Sequence, residues 1–196
     1  MFNIILASKS KVRFDILKNN DINCVAEPSN VDEDIIKEAL QKDGATPELI
    51  SKNLAEIKAN KISQNKIEHI VIGADSVIDL NGEIISKPKN RTDALKILKK
   101  LNGKTHHLIS SVCISRGGSM IWNHSEKASL AMKKFSESDL KLYLSKISDE
   151  NLYAYNVYQI EGEGKNLFSD IKGDKNTIMG LPIKKIKQYL KNYEVK

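Results

Sequence analysis

The amino-acid sequence predicts an α/β fold, with a mixed central sheet flanked by helices, in one domain spanning residues 1–196. Three observations carry this. Short β-branched runs alternate with helical segments over the first half, the order that parallel crossovers produce. Later strands are separated by Asn81-Gly82 and Gly117-Gly118, which are hairpin signals and add antiparallel pairs. A chain of 196 residues, 40% of them apolar, is long enough to bury a core.

The elements follow in order. Phe2–Ala7 is an apolar run that reads as a buried strand. Ser10 can cap a helix carrying Val12, Phe14, Ile16 and Leu17 and ending near Asn19-Asn20. Asn23–Ala26 is a second strand, and a helix is expected from about Asp34 to Gln41. Thr46-Pro47-Glu48 starts another: Thr caps, Pro loses no amide bond in the first turn, and Glu faces the positive helix end. That helix should reach Ser63 and bury Ile50, Leu54, Ile57 and Ile62. His69–Leu80 is a strand rich in Val and Ile, turned at Asn81-Gly82 into Glu83–Ile85. Thr92 is expected to cap a helix with Leu95, Leu98 and Leu101 on one face, stopped by Gly103. Strands at Thr105–Ser115 and Met120–Lys133 come next, then a helix opened by Ser136-Glu137-Ser138-Asp139. Strands at Val157–Ile160 and Leu167–Ile171 and a helix after Leu181-Pro182 complete the chain.

Composition narrows the function classes. The net charge is +6, but the lysines are scattered beside Asn, Asp and Glu, without the basic block or aromatic–basic stripe that tracks a nucleic-acid backbone. No nucleic-acid partner is expected. The basic excess suits an anionic small substrate. No stretch reaches the roughly 18 apolar residues of a membrane span, and no signal-peptide pattern opens the chain, so a cytoplasmic protein is expected. Cys24 and Cys113 have no metal-ligand spacing and read as reduced core thiols.

Three segments carry polar residues where a core needs none. Ser8-x-Ser10-x-x-Arg13 follows the first strand and opens a helix. Unpaired helix amides attract phosphate, and two hydroxyls and an arginine would complete a cradle; equally, Ser10 only caps and Arg13 is solvated. Gly73-Ala74-Asp75-Ser76 interrupts an apolar strand, where a carboxylate is costly unless paired or bound to a cation. Asp75 is thus a general base, a metal ligand or one half of a structural ion pair. Ser86-Lys87-Pro88 fixes a lysine that could neutralise a phosphate. Glu33, in Asp32-Glu33-Asp34, and Lys58, in Ala55-Glu56-Ile57-Lys58-Ala59, fit the same chemistry or a plain surface. Carboxylate oxygens suit Mg²⁺ or Mn²⁺ bridging to phosphates. His106-His107 has no third ligand at zinc spacing, and no Walker-type phosphate loop or serine elbow is present.

Taken in order, these pieces resemble the Maf family of nucleotide pyrophosphatases. Leu6-Ala7-Ser8-Lys9-Ser10-Lys11-Val12-Arg13 is similar to its opening pattern, and Glu33, Lys58, Gly73-Ala74-Asp75, Lys87-Pro88, Gly103, His106 and Gly180-Leu181-Pro182 follow in family order. The resemblance implies two lobes around a cleft, as in the inosine triphosphate pyrophosphatases. It also implies hydrolysis of nucleoside triphosphates to monophosphate and pyrophosphate in a house-cleaning role, a divalent cation (Mg²⁺ or Mn²⁺), and often a homodimer. By position Asp75 would be the general base and, with Glu33, a metal ligand; Ser8, Ser10 and Arg13 would bind phosphate; Lys58 and Lys87 would balance its charge. The stretch Tyr153–Gly164 departs from the main branch. Its Glu161-Gly162-Glu163-Gly164 is similar to the step of the branch preferring 7-methyl-GTP, where Glu161 would read a guanine and Tyr153, Tyr155 or Tyr158 would stack on it; equally, Glu161 faces solvent and the tyrosines are core. A family member retained as a regulatory or binding protein in cell division is the competing reading.

Overall fold

The computed structural model describes residues 3–194, and among these the side chains of all but 153–155 and 194. Seven strands form one mixed sheet. β1 (Ile4–Leu6) pairs in parallel with β2 (Cys24–Ala26) on one side and β3 (Ile70–Leu80) on the other. β3 also pairs antiparallel with β4 (Glu83–Ile85). The path continues through β5 (Thr105–Arg116), β6 (Ser119–Met132) and β7 (Phe168–Lys172), the last antiparallel to β6. The mixed α/β architecture is therefore as the alternation predicted.

The chain divides into two compact units. One comprises residues up to 76, 109–127 and from 174 onward; the other comprises 77–108 and 128–173. In the first unit, the period-2 alternation of a strand sends side chains to two different layers. Leu6, Ile70, Ile72 and Ala74 face α1 (Lys11–Lys18) and α8 (Ile183–Glu194), packing with Ile16, Leu17, Ile183 and Ile186. Ile5, Ala7 and Val71 face α3 (Pro47–Ser63) and pack with Ala55, Ala59 and Ile62. α2 (Glu33–Lys42) precedes α3 and is capped by Asp32, whose side chain accepts from the Ile35 amide. Thr46 and Ser10 cap α3 and α1, as their sequences indicate.

The second unit holds β4, α4 (Arg91–Leu101), α5 (Glu137–Ser145) and α6 (Asp149–Tyr155). Ser136 and Asp139 close a reciprocal capping box on α5. Arg91 donates to the Leu144 and Ile147 carbonyls at 2.7 and 2.8 Å and pairs with Asp149, which ties the end of α5 to the start of α6.

Four local expectations change. The cap of α4 is Asn90, whose Oδ1 accepts from the Asp93 amide, so Thr92 lies inside the first turn. Ile57 is exposed: the buried face of α3 runs through Ser51, Leu54, Ala55, Lys58, Ala59 and Ile62, and Ile57 points off that stripe. Residues Val157–Ile160 form no strand. α6 ends at Asn156 with positive φ, and Val157 and Tyr158 are buried as anchors of a loop that leads into the 3₁₀ turn Glu163–Leu167. The short helices α6 and α7 (Lys175–Ile178), the latter capped by Asp174, were not foreseen.

Candidate functional site

Asp75 and Lys58 meet because two periodicities coincide. Along β3, Val71, Gly73 and Asp75 share the face toward α3; along α3, Ser51, Ala55, Lys58 and Ala59 share the face toward β3. The two elements lie so close at Gly73 that a Cβ there would sit 2.2 Å from the Ala55 carbonyl oxygen and 2.7 Å from the Ala59 nitrogen. Only glycine fits.

Lys58 is buried at 4% exposure, yet charged, because Nζ donates to Asp75 Oδ1 at 2.8 Å and lies 2.8 Å from Glu33 Oε1. A weaker contact at 3.4 Å reaches the Ala74 carbonyl. Glu33 stands at the first turn of α2, and Lys37, one turn on, adds a second cation at 3.7 Å. Burial alone would raise the Glu33 carboxyl; the Lys58 ammonium, helped by Lys37 and Arg13, outweighs it and holds Glu33 below the usual carboxylate range. Asp75 is 3% exposed, and its Oδ2 has no hydrogen-bond partner among the described residues. A buried carboxylate oxygen left this way is a vacant acceptor beside a fixed positive charge.

Arg13 approaches the same strand from its other face. Its guanidinium donates to the Gly180 carbonyl at 2.9 Å, Ala74 carbonyl at 3.0 Å, Ser76 Oγ at 3.0 Å and Ser8 Oγ at 3.4 Å. These bonds take up most of its five N–H donors. Arg13 is therefore neither solvated nor a free phosphate fork; it ties α1 and the Gly180 turn to the peptide preceding Asp75. Gly180 has φ of +104°, and a Cβ would crowd Arg13 Nε and Ser76 Oγ at 3.2 Å each. Ser76 Oγ also shares a hydrogen bond with Ser110 Oγ, which donates to the Thr177 carbonyl.

Ser8, Lys9, Ser10 and Lys11 line a cavity of about 360 Å³ with Phe14, Ala26 and Pro28 at the N-terminus of α1. Ser10 is the cap, accepting from the Arg13 amide, and Ser8 Oγ accepts from the Ser10 amide. Both expected hydroxyls thus stand together at a positive helix end.

The structure brings Glu33, Lys58, Asp75, Ser8, Ser10 and Arg13 into the first unit, linked by the bonds above. Lys87 and Glu161 belong to the second. Lys87 is exposed, two residues beyond β4 and ahead of the buried Pro88. Glu161 is exposed in the turn before the 3₁₀ helix. Tyr158 is not available to stack on a base: it is buried against His106 and Phe168, and its hydroxyl is 2.8 Å from His106 Nε2. Tyr153 and Tyr155 lie outside the described side chains. Ser51, whose Oγ donates to the Asp75 carbonyl, and Ser110 are two supports that the sequence reading missed. A buried serine one α3 turn-pair before Lys58 was the available signal. Burial pushes the Cys113 thiol up to about 11, so it offers no thiolate nucleophile. No described helix is long and apolar enough to cross a membrane.

Comparison with known proteins gives three findings. The family model described as "Maf-like protein" matches residues 3–193. A nucleoside triphosphate pyrophosphatase of Pelagibacter ubique is 70% identical over 188 residues, 96% of each chain, and a 7-methyl-GTP pyrophosphatase of Rhizobium etli is 37% identical over 180 residues, 92% of this chain and 90% of its own. Among solved structures, a HAM1 protein from Coxiella burnetii is similar at a TM-score of 0.46 and 15% identity, covering 67% of this chain and 73% of that one.

Proposed function

The chain belongs to the Maf-like protein family, and from that premise we propose that it hydrolyses nucleoside triphosphates to the monophosphate and pyrophosphate. The observation that carries the reading is the Glu33–Lys58–Asp75 cluster, with its buried, vacant Asp75 Oδ2. Asp75 acts as general base: Oδ2 accepts a proton from the attacking water, and in the nucleotide-free protein Lys58 on Oδ1 holds the carboxylate in place. The water oxygen joins the α-phosphorus and pyrophosphate leaves, so no covalent enzyme intermediate is needed. Ser8, Ser10 and the amides opening α1 receive phosphate oxygens, with the Arg13 charge behind them. Lys87 keeps, as the family resemblance implies, the role of a further counter-charge for the substrate.

A divalent cation, Mg²⁺ or Mn²⁺, belongs to this reading. The residues fit it: an ammonium already bridges Glu33 and Asp75, and one Asp75 oxygen is vacant. Among the described residues no group of three His, Cys, Asp or Glu could hold a metal unaided. Glu33 and Asp75 would therefore share the ion with substrate oxygens, as Mg²⁺ sites commonly do. When bound it supplies charge neutralisation at the polyphosphate.

Hydrolysis in ¹⁸O-water tests the bond cleaved. Label should appear in the nucleoside monophosphate, and release of orthophosphate with a nucleoside diphosphate would overturn the reading. Base choice rests on Glu161, an acceptor-only side chain that suits the N1–H and amine of a guanine. Glu161→Gln should lower the preference for 7-methyl-GTP over UTP about tenfold, the scale of one charge-assisted hydrogen bond. An unchanged ratio of kcat/KM values would move base recognition to other residues.

A further inference from the structure

The Lys58 ammonium has three N–H donors, and three acceptors meet it: Asp75 Oδ1, Glu33 Oε1 and the Ala74 carbonyl. It stands between the two carboxylates that would hold a divalent ion. The local charge is also already compensated. Glu33 and Asp75 contribute two negative charges, while Lys58 bonds to both and Lys37 lies on the second Glu33 oxygen. The Arg13 guanidinium adds a further positive charge within electrostatic reach of Asp75 and Glu33. A bare divalent cation arriving here meets no net negative charge and must displace a saturated, buried ammonium. A triphosphate changes both conditions, because it brings its own negative charge and offers the ammonium new acceptors.

We propose that Lys58 is a built-in counter-cation that keeps the nucleotide-free site closed to divalent metal, so that the metal enters only together with a polyphosphate, to which the ammonium is handed over. This rests on the reading that Glu33 and Asp75 serve a metal-assisted pyrophosphatase. It adds a role for Lys58 that differs from mere phosphate binding: in the free protein the lysine competes with the ion. The burial of Lys58 on α3 makes the competition strong, since its withdrawal without a substitute would leave two carboxylates facing each other, one of them in a dry environment.

Direct Mn²⁺ binding, followed by the electron paramagnetic resonance signal of the free ion, tests this without turnover. Wild-type protein should show no saturable binding of Mn²⁺ alone in the range where protein and an α,β-methylene triphosphate together remove clearly more free Mn²⁺ than the same concentration of analogue without protein. Lys58→Met, which keeps length but removes the charge, should bind Mn²⁺ alone at least tenfold more tightly than wild type, and adding Glu33→Gln should abolish that gain. Should Lys58→Met not fold, the two wild-type arms still decide. Equal Mn²⁺ affinity with and without the analogue, or a folded Lys58→Met that binds Mn²⁺ no better than wild type, overturns the proposal. A wild type that releases pyrophosphate from no triphosphate refutes the proposed function, whereas absent Mn²⁺ binding in every arm refutes the counter-cation alone.

Discussion

Lys58 Nζ donates to Asp75 Oδ1 at 2.8 Å, while the other oxygen of the same carboxylate is buried without a partner among the described residues. One oxygen is thus fixed and the other is available, the division that a general base requires. Asp75→Asn keeps an acceptor for Lys58 but loses the basic oxygen, so turnover should fall about 10² to 10⁴-fold. The amide also places an N–H₂ where Oδ2 now has no partner, in a residue only 3% exposed. A loss of about 1–3 kcal/mol in stability should accompany the lost activity. Steady-state rates and a melting curve on one preparation check both, and retained turnover would remove Asp75 from the chemistry.

Gly73 sets how closely α3 approaches β3, and so whether Lys58 reaches Asp75 at all. In Gly73→Ala the new methyl would meet backbone atoms of Ala55 and Ala59, which cannot rotate away. The helix must shift outward. We expect a cost of about 3 kcal/mol, or roughly 6–12 °C in melting temperature, with activity lost well below the new midpoint. A variant that melts normally and turns over normally would show that the contact at Gly73 does not govern the lysine.

Much of this site was legible because its signals are local. A polar Gly-Ala-Asp-Ser inside an apolar strand identifies Asp75, and Thr46-Pro47-Glu48 fixes where α3 begins. What sequence could not show is which face of α3 is buried: Ile57 looks like core and Lys58 like surface, and the reverse holds because the close packing at Gly73 selects the face. Three of the four acceptors of Arg13 lie 61 to 167 residues away, so most of its bonding is a tertiary fact. α6 was missed although Ser148-Asp149-Glu150 is a fair helix start, since seven residues give too short a window for a period to register. The buried Val157 and Tyr158 then imitated a strand.

His106 predicts the acid sensitivity of the second unit. It is fully buried between Tyr158 and Phe168, and burial, aided by the neighbouring His107 charge, lowers it to about 4 from an ordinary 6.5. The folded state therefore prefers the neutral ring, and between these values the unfolded chain binds more protons. Stability is fully present above pH 6.5 and declines as pH falls toward 4, by about 3 kcal/mol in total. Glu33, held below the usual carboxylate range, adds its own loss only at lower pH. Urea midpoints between pH 7 and 4 should show the decline, and His106→Phe should flatten it. An equal slope in that variant would place the titrating group elsewhere.

Arg13 separates two roles that sequence alone left joined. Its fork reaches Gly180, Ser8, Ala74 and Ser76 at once, and a lysine, with donors on a single atom, cannot span that set. Arg13→Lys keeps the positive charge near the Ser8–Ser10 cavity but leaves the Gly180 carbonyl and the Ala74 peptide short of a donor. An unsatisfied group of this kind costs about 1–3 kcal/mol, so the melting temperature should drop. The Ala74–Asp75 peptide loses an anchor, and kcat should fall more than KM rises, because a positive charge is kept beside the Ser8–Ser10 cavity. Arg13→Gln, which removes the charge as well, should then raise KM beyond the lysine variant. The opposite pattern, an elevated KM in Arg13→Lys with melting and kcat unchanged, would mean that the guanidinium leaves its protein acceptors for a phosphate during turnover.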